Sequence, residues 1–178
     1  MGNAQINVAQ LLKEGTGATR AFEIDETLYL DETTQCHVHG EVELLRTRRG
    51  ILVRGTFAGT SRLMCSRCLD FFEYPLIFRM EEEFLPLVDI TTGIPLPLDE
   101  DPATFTIDNR HILDLSEAMR QYALLALPMK PVCRPDCGGL CPQCGTNLNH
   151  QRCHCPPSSG NPLLDELTKL DDNARKLR

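Results

Sequence analysis

The sequence predicts an α+β chain: an antiparallel β-meander curling toward a partly open barrel, packed by one long helix and followed by a C-terminal cysteine-rich lobe. Three observations carry this. From Thr19 to about Phe84 apolar and polar side chains alternate, with Val, Ile, Thr and Phe enriched and turn signals at Arg49-Gly50 and Gly59. "HILDLSEAMRQYALLALP" spaces its apolar residues at helical period and stops at Pro128. Six cysteines crowd between Cys133 and Cys155, where apolar residues are few. The expected organisation is an antiparallel sheet plus helix core over residues 1–128, then the cysteine lobe with a C-terminal helix over residues 129–178.

In chain order, "INVAQLLKEG" reads as a short helix ending at Gly15. In the meander, Val42 and Leu44 share one face, and Leu52, Arg54 and Thr56 continue the period-2 pattern. Residues 81 to 101 carry seven acids and no base, with three prolines and a glycine. They read as a surface loop that solubilises the chain or meets a basic partner. The long helix opens with Asp114 and Glu117 at capping-box spacing. Its stripe of Leu115, Ala118, Met119, Tyr122, Leu125 and Ala126 is the face expected against the sheet. After the cysteines, Pro162 suits a first helical turn, and Leu163, Leu164, Leu167 and Leu170 form a second short stripe.

With 178 residues and 42% hydrophobic content the chain can bury a real core, and the absence of tryptophan makes that core aliphatic. A net charge of −7 argues against a protein that coats nucleic acid through its overall field. A local patch stays open, because fourteen of the eighteen basic residues are arginine, which suits bidentate recognition of phosphate. The N-terminus lacks the basic start and apolar run of a signal peptide, and Ile6 stands where a myristoylation signal has Ser or Thr. No run approaches the ~18–20 apolar residues of a membrane span. A cytoplasmic protein without membrane association is expected, in a compartment that keeps thiols reduced. Nine cysteines there point to metal rather than disulfides.

Eight of the nine form close pairs: Cys65 and Cys68, Cys133 and Cys137, Cys141 and Cys144, Cys153 and Cys155. Zinc takes four soft ligands in a tetrahedron, and a tight turn bearing two cysteines supplies two of them. "CPQCG" has knuckle spacing, with Gly145 free to adopt positive φ. Residues 129–178 are therefore expected to form a zinc-binding knuckle lobe with one or two structural Zn2+ ions, and an iron–sulfur cluster is the competing use of four cysteines. "CSRC" reads as a hairpin tip donating two zinc ligands. A redox dithiol or plain buried thiols are the alternatives, and the βαβ setting of a redox motif is missing.

The pairs divide between two sites in three ways. Grouping Cys65, Cys68, Cys133 and Cys137 apart from Cys141, Cys144, Cys153 and Cys155 closes only the short loop "GTNLNHQR" in the second site. Joining Cys133 and Cys137 to Cys141 and Cys144 across Gly138-Gly139 stays open, as does His150 or His154 in place of a cysteine. Cys36 is left over beside His37 and His39, where a third metal site competes with a buried thiol and surface histidines. A site closed by four cysteines has no position for water or substrate, so it stabilises structure. HExxH, P-loop, GxGxxG and GxSxG motifs are absent. No enzymatic activity or small-molecule substrate is expected.

"CSRCL" on a meander, "LALPMKPVCRPDCGGLCPQCGTNLNHQRCHC" and a terminal "NPLLDELTKL" together resemble the YceD-like proteins, the large ribosomal RNA subunit accumulation proteins. The likeness covers about residues 36 to 171 and is most specific from Leu125 to Cys155. It implies a bacterial or organelle-type factor needed for 23S ribosomal RNA to accumulate, acting in large-subunit assembly without known catalysis. The partners implied are ribosomal RNA and/or large-subunit ribosomal proteins. Arg46, Arg48, Arg49, Arg54, Arg62 and Arg67 on the meander are the candidates for RNA contact, against a merely solvated face. A zinc-stabilised protein–protein adaptor without RNA contact is the alternative. A thiol redox or metal-dependent enzyme using Cys65 and Cys68 is the third reading.

Overall fold

The computed structural model of the 178-residue chain describes residues 4–31, 34–97 and 104–155. They separate into two compact units. One takes in the described chain up to Met64 together with Phe71–Pro131. The other takes in Cys65–Asp70 and the described chain from Val132 onward.

The regular elements are β1 (Gln5–Asn7), α1 (Ala9–Lys13), β2 (Thr19–Tyr29), β3 (Gln35–Arg46), β4 (Ile51–Met64), β5 (Phe71–Pro86), β6 (Phe105–Ile107), β7 (Ile112–Asp114) and α2 (Ser116–Ala126). The seven strands form one curled, half-barrel sheet in the order β1-β7-β6-β5-β4-β3-β2. The predicted meander is β2 to β5, with each neighbouring pair antiparallel. Only β5 and β6 run parallel.

Alternation decides what the sheet buries. Ile24 and Leu28 of β2, Cys36, Val38, Val42 and Leu44 of β3, Ile51, Val53 and Phe57 of β4, and Leu76, Phe78 and Met80 of β5 all point into the core. Val42 and Leu44 share the inner face as expected. On β4 the inner residues are Ile51 and Val53, so Arg54 and Thr56 face outward and the period-2 reading there runs one residue out of phase. Gly59 is no bend: β4 runs through it, opposite Val38 and Leu76. The turn between β3 and β4 closes at Thr47–Gly50, where Thr47 Oγ1 accepts the amides of Arg49 and Gly50.

Several helical expectations are corrected. Gln5–Asn7 is not the start of the first helix but a strand paired with β7, and α1 keeps only Ala9–Lys13, burying Leu11 and Leu12. The helix expected from His111 likewise loses Ile112–Asp114 to β7. Asp108 draws that turn tight, its Oδ1 accepting the amides of Arg110 and Ile112. What remains, α2, has 11 residues, about 16 Å at 1.5 Å per residue, so one long helix does not form. The capping box does not form either. Asp114 accepts the Ser116 amide, and Glu117 pairs forward with Arg120, both carboxylate oxygens at 2.8 Å. That double hydrogen bond holds the Glu117 carboxyl down at about 2. The buried stripe uses Ala118, Met119 and Ala123, and Leu125 is 82% exposed.

As far as it is described, to Pro97, the acidic stretch is more structured than a solubilising loop, and Asp99, Glu100 and Asp101 lie outside the described residues. Glu81, Glu82 and Glu83 lie within β5 and accept hydrogen bonds from Arg54, Tyr122 and Thr47 respectively. Asp89 then gathers Thr91 and Thr92, whose hydrogen bonds hold its carboxyl below the usual range. The leucine stripe beginning at Leu163 lies outside the described residues.

Phe57 organises the middle of the sheet. It stacks on Phe78 with ring centroids 5.0 Å apart. Its ring also lies over two glycines: a Cβ on Gly40 would stand 2.9 Å from Phe57 Cδ1 and 2.2 Å from the Thr56 carbonyl, and one on Gly55 would stand 2.9 Å from Phe57 Cε2. The missing side chains make room for the ring and for the curl of the sheet. Gly40→Ala should therefore destabilise the sheet unit by about 1–3 kcal/mol through overpacking. A lowered urea midpoint with unchanged slope is the expected readout.

Candidate metal centres

The second unit has no aliphatic core among its described residues. Among its described residues the buried hydrophobic side chains are Cys65, Cys68, Cys137 and Cys141. Positions that would hold Leu, Ile or Val in an ordinary core hold sulfur here.

The eight paired cysteines gather into two groups. Cys65, Cys68, Cys133 and Cys137 form one, and Cys141, Cys144, Cys153 and Cys155 the other; within each, the sulfurs lie within 4.8 Å of one another. Cys133 and Cys137 do not join Cys141 and Cys144. In the first group the Cys65–Cys137 and Cys68–Cys133 sulfur separations are both 3.8 Å. A tetrahedron with sulfur about 2.3 Å from its centre has edges of about 3.8 Å, whereas a disulfide needs about 2.05 Å. The donor sets fit a four-coordinate soft cation.

Both groups begin with the same local turn. Leu69 N donates to Cys65 O and Gly145 N to Cys141 O, at 3.0 and 2.9 Å, and both residues have positive φ, 62° and 74°. Gly145 adopts that conformation without strain, whereas a leucine there costs about 1–2 kcal/mol. The first turn aims amides at sulfur: Arg67 N and Cys133 N each donate to Cys65 Sγ at 3.4 Å. Asn149 Nδ2 donates to Cys137 Sγ at 3.4 Å, and Thr146 Oγ1 lies 3.2 Å from Cys144 Sγ.

These donors divide the thiols by acidity. Burial would raise Cys65, but the amides of Cys133, Cys68 and Arg67 outweigh it and bring the thiol down to about 6. Cys68 receives an opposing amide bond from Asp70, yet burial and the three neighbouring thiols push it up to about 12. The Thr146 hydroxyl and amide bring Cys144 down to about 6, and the thiols of Cys144 and Cys141, with burial, push Cys155 up to about 12. Burial and Cys137 raise Cys133; its neighbour Cys141 raises Cys153. The Asn149 amide lowers Cys137. Each group therefore pairs sulfur whose negative charge is favoured by donors with sulfur whose charge is opposed by burial and crowding, and a bound cation would displace the protons of the latter.

The histidines are not members of either group. His150 Nε2 lies 3.0 Å from Asp70 Oδ2, and His154 is exposed beside its cysteine neighbours. Cys36 points into the core of the sheet unit, while His37 and His39 face outward on the same strand, so the three do not converge. His37 instead meets Asp25 at 3.1 Å. The outer partners Thr146, Asn147 and Asn149 have their signal in the amide-rich "GTNLNHQR" between cysteine pairs, whereas Asp70, two residues after "CSRC", has none.

The six arginines do not share one face. Arg46, Arg48 and Arg49 gather at the β3–β4 turn and line a groove of about 340 Å³, with Arg46 Nη1 held by the Thr47 and Gly50 carbonyls. Arg54 pairs with Glu81. Arg62 stacks over Phe71, 4.7 Å from its centroid. Arg67 belongs to the other unit, where its guanidinium bonds the carbonyls of Pro135 and Cys137.

Two outcomes follow for the metal-free chain. A strong chelator should open the second unit to proteolysis while circular dichroism of the sheet unit is retained, because the latter has its own aliphatic core. Metal uptake at pH 7 should release at least two protons per site, since Cys68 and Cys133, and Cys153 and Cys155, all lie above 9.0. Affinity should accordingly rise with pH across the neutral range, measurable by calorimetry in buffers of different ionisation heat.

Residues 53–171 match the family model described as large ribosomal RNA subunit accumulation protein YceD. The chain is 36% identical over 108 residues to an uncharacterized protein of Mycobacterium tuberculosis (strain ATCC 25618 / H37Rv), covering 59% of this chain and 48% of that one. It is 30% identical over 120 residues to an uncharacterized protein of Mycobacterium leprae (strain TN), covering 67% and 52%. The chain spans about half the length of the curated relatives it matches. No solved structure matches it. Among the described residues no helix is long and apolar enough to cross a membrane. A family match across the sheet unit's last long strands and both cysteine groups places the chain: it belongs to the YceD family of large ribosomal RNA subunit accumulation proteins.

Proposed function

We propose that this protein is a non-enzymatic, cytoplasmic factor in biogenesis of the large ribosomal subunit, needed for 23S ribosomal RNA to accumulate, with a structural zinc ion in each cysteine group. The observation that carries the structural half is the pair of four-sulfur groups: filled by zinc, each is a closed site with no position for water or substrate. The family supports the ribosomal half. Zinc suits the all-thiolate sets better than a hard cation would. The ion supplies folding free energy to a unit whose described residues have no aliphatic core.

The contact with RNA is assigned to the β3–β4 turn. Arg46, Arg48 and Arg49 cluster there along one groove, and the Thr47 and Gly50 carbonyls hold the Arg46 guanidinium in place. One observation favours a protein partner as well. Glu41 and Glu43 face outward on β3, Glu41 directly opposite Glu23, and neither forms a hydrogen bond or ion pair among the described residues. Such a surface suits a basic large-subunit protein.

Elemental analysis of the purified chain should give close to two zinc ions per chain, and an iron-rich, coloured sample would overturn the zinc assignment. Cells lacking the protein should show a lowered 23S to 16S ratio. Co-sedimentation with large-subunit precursors should fall on Arg48→Glu with Arg49→Glu; unchanged co-sedimentation that also survives ribonuclease would replace RNA contact by the adaptor reading.

A further inference from the structure

The loop Gly145–Arg152 lies between the inner two cysteines of the second group, Cys144 and Cys153. It folds back on its own knuckle: Cys141 N donates to Thr146 O at 2.8 Å and Leu148 N to Gly139 O at 2.9 Å. From this position it reaches the first group twice. Asn149 Nδ2 donates to Cys137 Sγ. Asn147 Nδ2 donates to Asp70 Oδ2 at 2.7 Å, where His150 Nε2 also arrives at 3.0 Å. Asp70 in turn carries the carbonyl that accepts the Cys65 amide at 2.8 Å.

Asn149 is fully committed. Its Oδ1 accepts from Gly138 N and from Arg134 Nη2, both at 2.8 Å, and its Nδ2 donates to Asn147 Oδ1 at 2.9 Å as well as to Cys137 Sγ. An amide has two donor hydrogens and two acceptor lone pairs, so all its capacity is used and the side chain has one orientation. That orientation points an N–H at a sulfur of one group from a loop whose ends belong to the other.

We infer that the two cysteine groups take up metal as one coupled unit, with Asn149 the positioning residue that transmits occupancy of the second site to the first. This rests on the reading of both groups as metal sites. A cation in the second group ties Cys153 and Cys155 to Cys141 and Cys144 and so orders the loop. The N–H that stabilises thiolate charge at Cys137 is then already in place when the first site fills. The ordering cost is met once for two ions, which is positive cooperativity without a change of shape. Linkage makes it reciprocal: the first ion raises the affinity for the second by the same factor.

Cobalt(II) added to the metal-free full chain, followed by thiolate-to-cobalt absorption and native mass spectrometry, tests the coupling. At one equivalent of cobalt the wild-type chain should be a mixture of empty and doubly filled species. Cys153→Ser with Cys155→Ser removes the second site but no residue of the first, and should lower first-site affinity about 5- to 150-fold. Asn149→Asp keeps the acceptor toward Gly138 and Arg134 but loses the donor toward Cys137. It should populate singly filled chains while both sites still fill. A predominance of singly filled wild-type chains, or a first-site affinity untouched by the double serine variant, overturns the coupling. A chain that binds no cobalt overturns the metal reading itself, and the wild-type spectrum stands even if a variant fails to fold.

Discussion

Four sulfurs confined within 4.8 Å of one another repel as they ionise unless a cation stands among them, and the second unit contains two such groups. Among the described residues of that unit, several donors answer this repulsion. The knuckle turns point amides at Cys65, Asn149 points one at Cys137, and Thr146 sits against Cys144. These donors lower the cost of charge on some sulfurs, while the crowding raises it on Cys68 and Cys155. A divalent soft ion bound among the sulfurs would resolve the conflict, and would hold together described residues that have no aliphatic core of their own.

The sheet unit answers to a different constraint. Its order comes from inner-face aliphatics and from stacked aromatics, Phe57 on Phe78 and Phe84 on Phe105, with the Phe57 ring seated over Gly40 of β3 and Gly55 of its own strand. No thiol group of the second unit takes part in that core, and Cys36, which does, serves as a small buried hydrophobe whose burial raises its pKa. The two units therefore differ in what they bury within one chain: aliphatic and aromatic side chains in one, and, among the described residues of the other, sulfur.

What could be read from sequence follows the range of each signal. Cysteine pairing is local, so the four pairs and their knuckle turns were legible. The grouping of Cys65 and Cys68 with Cys133 and Cys137 spans a long stretch of chain, and loop length was the only guide to it. Strands β2 to β5 are legible from alternation, but Gly59 reads as a bend because a glycine that accommodates a neighbouring strand looks the same in sequence as one in a turn. Three residues of β7 passed for helix because "ILD" runs straight into a helical period, and only pairing with Gln5–Asn7 makes it a strand. Leu125 fitted the stripe by spacing, yet Ala123 takes the buried position. The arginines looked contiguous on paper because sequence does not show that Arg54, Arg62 and Arg67 have internal partners.

The β4–β5 connection carries Cys65 and Cys68, while their companions lie beyond α2. During translation at about 5–20 residues per second, the first knuckle therefore leaves the ribosome several seconds before Cys133 is made. The meander hairpin can pair in that interval, but its tip holds two bare thiols with nothing to bridge. Through that interval Cys65 and Cys68 are without the cysteines they are grouped with, so the tip of the hairpin stays unfinished until Cys133 and Cys137 follow it.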